Sequence, residues 1–150
     1  MSTQTLSPQN AKLAGSRLAW VGPLAIAAAV VADLVWYGIA SALFPVSLGK
    51  AAEILNPFSI IGSSIAFLLI GLLALVVVNR VSRQPVRTYR ILAIVGLLLS
   101  LSNPIMAAAG FMPLQGGAVL DGTVVGVMLV MHIIAAAVFV PMVTSLAQQK

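Results

Sequence analysis

Few side chains in this sequence can do chemistry, and most of them sit inside long apolar runs. Asp33 stands near the middle of Leu18–Phe44, a run with no other acid. His132, the single histidine, lies inside Thr123–Leu146. Asn103 and the pair Ser63-Ser64 interrupt two further apolar runs. Trp36 and Tyr37 follow Asp33 by about one helical turn. A carboxylate in the middle of a membrane helix costs about 2.5–3.5 kcal/mol on insertion scales. A partner, a water molecule or a proton must offset that cost.

Depth selects the partners. Asp33 is about 16 Å from the far end of its run, and His132 about 14 Å from the start of its own. Asn103, Ser63 and Ser64 fall in the same half of the membrane. The expectation is a buried polar cluster of Asp33, His132, Asn103 and Ser63 or Ser64. A carboxylate and an imidazole in apolar surroundings can trade a proton near neutral pH. Trp36 and Tyr37 would supply an aromatic wall for an organic cation or a quinone-like headgroup. Each residue also has a purely structural reading. Asp33 can fix helix register through a hydrogen bond to Ser or Asn. His132 can be a structural side chain, and Asn103-Pro104 a kink. Trp36 and Tyr37 can be interfacial belt aromatics. Gly122 and Gly126 form a GxxxG pair of the kind used in close helix packing.

These residues must be positioned by helices in lipid. The chain has 150 residues, 61% hydrophobic and 7% charged. A soluble domain carries roughly 25% charge. Eight basic and three acidic side chains cannot solvate a globule of this size. Four apolar runs are each long enough to span a bilayer: about 18–44, 58–78, 91–109 and 123–146. The expected fold is an all-α integral membrane bundle of four transmembrane helices within residues 17–147. A polar tail, residues 1–16, is expected to be disordered. It is too long and polar to read as a cleaved signal, so the first run is expected to be retained.

Local signals mark the ends. Asn56-Pro57 reads as the N-cap and first residue of the second span. Asp121 reads as the cap of the fourth. Val46–Asn56 reads as an interfacial helix, with Ser47 as its cap and Ile54 and Leu55 dipping toward lipid. Gly110–Gly122 is an outer loop, and Pro141 is placed to bend the fourth span.

Charge gives orientation. Arg80, Arg83, Arg87 and Arg90 crowd the connection between the second and third spans. Short arginine-rich loops stay cytoplasmic. Both termini are then expected to be cytoplasmic as well, and Lys12, Arg17 and Lys150 agree. Lys50 is the one basic residue on the other side, with Glu53 and Asp121. The four arginines are expected to meet anionic lipid headgroups. This placement argues against a nucleic-acid partner, despite a net charge of +5.

Several chemistries are excluded. With no cysteine and one histidine, neither a disulfide nor a structural zinc site can form. There is no glycine-rich phosphate loop and no pair of carboxylates at catalytic spacing. No metal or cofactor is expected, and an enzyme acting on a lipid or quinone is the least supported reading.

The layout resembles the small four-span bacterial membrane proteins grouped as domains of unknown function. Asp33 with Trp36 and Tyr37, Asn56-Pro57, and Asn103-Pro104 carry the likeness. It implies residence in a bacterial plasma membrane and no assigned activity. The chain is also similar in mechanism to small multidrug resistance transporters. Those have four spans and a first-helix acid that exchanges protons for cationic drugs. Asp33 stands at the matching position, but as Asp rather than Glu and in a longer chain. Two readings follow: a small proton-coupled transporter or small-molecule binder centred on Asp33, or an accessory subunit of a larger membrane complex. A homo-oligomer fits either.

Overall fold

The computed structural model describes residues 13–111 and 120–147. Five helices occur among them: α1 (Gly15–Leu43), α2 (Pro45–Lys50), α3 (Pro57–Val81), α4 (Pro85–Ala108) and α5 (Gly122–Ser145). There is no β-strand among the described residues. Four of the helices, α1, α3, α4 and α5, are long and apolar enough to cross a membrane. The all-α four-span bundle is therefore the observed architecture. α1 packs on α3 and α5, and α4 packs on the same two helices. This places α1 and α4 diagonally across a square.

The spacing of small residues makes α1 the spine. Gly22, Ala25, Ala29, Asp33 and Ala40 are all buried. Small side chains at three- and four-residue intervals let backbones approach closely in lipid, where packing replaces the hydrophobic effect. Gly22 shows how close the approach is. A Cβ there would lie 2.6 Å from Leu72 Cδ2 on α3. Leu24, Val31 and Val35, on the opposite face of α1, are 47%, 59% and 58% exposed, as lipid-facing residues should be. Gly122 and Gly126 differ from the GxxxG expectation. A Cβ at either would meet nothing within 4 Å, so that pair brings no helix close among the described residues.

Hydrogen bonds close both ends of the bundle. At one end the Asn79 carboxamide accepts from the Leu13 N–H (3.0 Å) and donates to the Leu13 carbonyl (3.0 Å). The Ala14 N–H donates to the Ala147 carbonyl (2.9 Å). The start of α1, the end of α3 and the end of α5 thus meet there. At the other end Ser47 of α2 donates to Asp121 Oδ2 at 2.7 Å.

The caps follow the local sequence. Asn56 Oδ1 accepts from the Ser59 N–H, while Ser59 Oγ accepts from the Asn56 N–H. Pro57 needs no donor at N1. Asp121 Oδ1 accepts from the Thr123 N–H at 3.0 Å and caps α5. α4 ends in a Schellman turn. Gly110, at φ +76°, donates to Ala107, and Phe111 donates to Met106.

Several boundaries differ from expectation. α4 begins at Pro85 rather than near residue 91, because Pro85 starts the helix well before the apolar run. Arg87 and Arg90 are therefore helical rather than loop residues. The polar tail is shorter than expected. Leu13 is buried, and residues 15 and 16 are already helical. The rest of that tail, residues 1–12, and residues 112–119 of the outer loop lie outside the described residues. Ser47 lies inside α2 and is not its cap. Leu55 packs in a protein cluster with Leu48 and Ala51 rather than toward lipid. α4 runs through Asn103-Pro104 without a break. There Ser100 Oγ donates to Leu97 and Ser102 Oγ to Leu99, so local donors feed the carbonyls of the preceding turn.

Candidate functional site

The apolar interior falls into two clusters. One contains Val21, Ala25, Ala29, Leu75, Val86, Phe139 and Val143, toward the arginine end. The other contains Ala40, Leu48, Leu55, Ile60, Val124 and Met131, toward the α2 end. Leu34 packs against both. Asp33 therefore sits at the level where the two clusters join.

Asp33 is 2% exposed. Ser64 on α3 donates to Asp33 Oδ2 at 2.9 Å. Asp33 Oδ1 is buried and has no hydrogen-bond partner among the described residues. His132 stands on α5, which packs on α1. Its Nδ1 lies 2.7 Å from the Met128 carbonyl, which can only accept. The neutral ring therefore carries its proton on Nδ1 and leaves Nε2 as its acceptor nitrogen. A carboxylate on α1 and a hydroxyl on α3 are thus joined inside the bundle, with an imidazole on the neighbouring α5. A buried carboxylate oxygen with an open lone pair is a position for a proton, a water molecule or a cation.

The other candidates stand apart. Ser63 is exposed, and its hydroxyl donates back to Ser59 on its own helix at 2.7 Å. Asn103 is exposed on α4, diagonally across the bundle from α1. Trp36 Nε1 donates to the Val127 carbonyl of α5 at 3.2 Å. Tyr37 Oη donates to the Leu55 carbonyl at 3.3 Å. Both rings are half-buried, and they tie α1 to two different elements. Arg80, Arg83, Arg87 and Arg90 are exposed around the short turn between α3 and α4, at the end that also holds the start of α1. Among the described residues no three His, Asp or Glu side chains converge to hold a metal.

Asn79 and Ser47 have roles that the sequence did not announce. Asn79 is the last polar residue before Arg80, and such a residue at a span end usually faces water. Here the backbone of Leu13, just before α1, docks on it. The only signal for Ser47 was its position opposite an N-cap acid.

Four apolar spans around a sparse buried polar site define a small multi-pass membrane protein. The chain belongs to the family of unknown function DUF6069, whose model matches residues 14–149. No curated protein and no solved structure is similar to it.

Proposed function

We propose that the protein is a small proton-coupled transporter or cation binder, with Asp33 as the proton- and ligand-exchanging group. One observation carries this reading: a carboxylate buried between helices, with one oxygen bonded to Ser64 and the other open. A carboxylate kept only for helix register would be expected to have both oxygens satisfied, because each unmade bond in apolar surroundings costs about 1–3 kcal/mol. An open oxygen fits a group that exchanges its partner. Ser64 holds the carboxylate in place. His132, on the helix packed against α1, is the second group in this reading, with Nε2 as its acceptor nitrogen. Trp36 lies one turn away. The arginine-rich end faces the cytoplasm of a bacterium, with both termini on that side.

The test is exchange across a membrane. Proteoliposomes with a pH-sensitive dye inside are given ethidium as probe cation. The wild-type chain is expected to release protons as ethidium enters, and Asp33→Asn to show neither flux. Equal fluxes with the two proteins would contradict the reading.

A second reading rests on the faces of α3 and α4. Only 11% of the apolar stretch of each is buried within the described structure. Such bare helices suit an accessory subunit held by a larger membrane partner. Under that reading Asp33→Asn is tolerated, and the chain co-purifies with its partner in either form.

A further inference from the structure

A groove of about 370 Å³ runs between α1 and α3 at the arginine end. On α1 it is lined by Leu18, Ala19 and Pro23, and on α3 by Leu72, Val76, Asn79 and Arg80. From Leu72 to Arg80 it extends along the helix axis for about 12 Å. Its inner end is closed where Gly22 brings Leu72 against α1. The wall is apolar toward the membrane interior. At the membrane surface it becomes polar, and Arg80 is exposed there.

Charge decides what fits. The chain has three acidic side chains. Asp33 is buried at mid-span, while Glu53 and Asp121 belong to the opposite end. No acidic side chain of the chain is therefore available to Arg80. A ligand for this groove needs an apolar body parallel to the helices and an anion at the surface. A soluble anion lacks the apolar body, and a zwitterionic lipid already holds a cation beside its phosphate.

We propose that this groove is a binding site for one anionic phospholipid, with an acyl chain along Leu18, Ala19, Leu72 and Val76 and its phosphate at Arg80. The headgroup supplies the anion that no acidic side chain provides. The site lies on the outer surface of the α1–α3 pair and is separate from Asp33. Arg83, Arg87 and Arg90 do not line this groove, so Arg80 carries the selectivity.

Native mass spectrometry of the detergent-solubilised protein tests this, with dioleoyl phosphatidylglycerol and dioleoyl phosphatidylcholine as probes. One phosphatidylglycerol is expected to be retained in preference to phosphatidylcholine. Arg80→Gln is expected to lower its affinity about five-fold, the effect of one cation at a membrane surface. Arg90→Gln is expected to leave it unchanged. Ala19→Trp, at an exposed position facing the groove, is expected to abolish retention of both lipids. Equal losses from Arg80→Gln and Arg90→Gln would overturn the site in favour of diffuse surface charge. Retention undiminished by Ala19→Trp would overturn the groove. If Ala19→Trp is not monodisperse, the Arg80 and Arg90 pair decides alone.

Discussion

At the scale of single residues, the polar side chains at mid-membrane depth divided by face rather than by depth. Asp33 was legible because its neighbours on α1 are small on one side and large on the other. That pattern turned it inward, and the structure buries it beside Ser64. Depth also put Ser63 and Asn103 on the list, but depth cannot tell which way a side chain faces. Ser63 is next to Ser64 and therefore about 100° around α3 from it. It faces outward and satisfies its hydroxyl on its own helix. Asn103 lies on the helix diagonal to α1, a relation set by tertiary packing. The open lone pair on Asp33 was not legible at all, since only coordinates show which oxygen has a partner.

At the scale of elements, the spans were readable from hydropathy, and their ends from caps. Asn56-Pro57 and Asp121 opened their helices as the sequence implied. The start of α4 was not readable, because hydropathy registers the apolar stretch while Pro85 sets the helix. After α2, Leu55 packs in a protein cluster with Leu48 and Ala51 rather than toward lipid, and Asp121 ties α2 to α5 through Ser47. That tie responds to pH. The Ser47 hydrogen bond, and then the Thr123 N–H, hold the Asp121 carboxyl below its ordinary value. A lowered carboxylate contributes stability that is present above the unfolded pKa, about 3.9. The contribution is lost as pH falls through the folded value. Asp121→Asn is therefore expected to lower the melting temperature at pH 7, and the gap from wild type to shrink below about pH 4. Melting curves at both pH values check this. A gap that is constant with pH would mean that the carboxylate charge does not matter to the tie.

At the scale of the whole molecule, the arrangement has two distinct ends. One gathers the start of α1, the α3–α4 turn and the end of α5, together with Arg17, Arg80, Arg83, Arg87 and Arg90. The other holds Lys50, Glu53 and Asp121. This asymmetry gives the proposed orientation a direct check, made simple by the absence of cysteine. A single cysteine at exposed Gln84 is expected to react with an impermeant thiol reagent only after the membrane is opened. One at exposed Glu53 should react from outside intact cells. The reverse pattern would invert the topology.

The central claim is that Asp33 is a working, titrating group rather than a structural one, and Trp36 can report it. Its indole bonds to α5 one turn from the carboxylate. The measurement is Trp36 emission against pH in nanodiscs, with Trp20→Phe removing the other indole. An emission that titrates with Asp33 and is flat with Asp33→Asn is the expected result. A flat trace in both proteins, or the same titration in both, would contradict it.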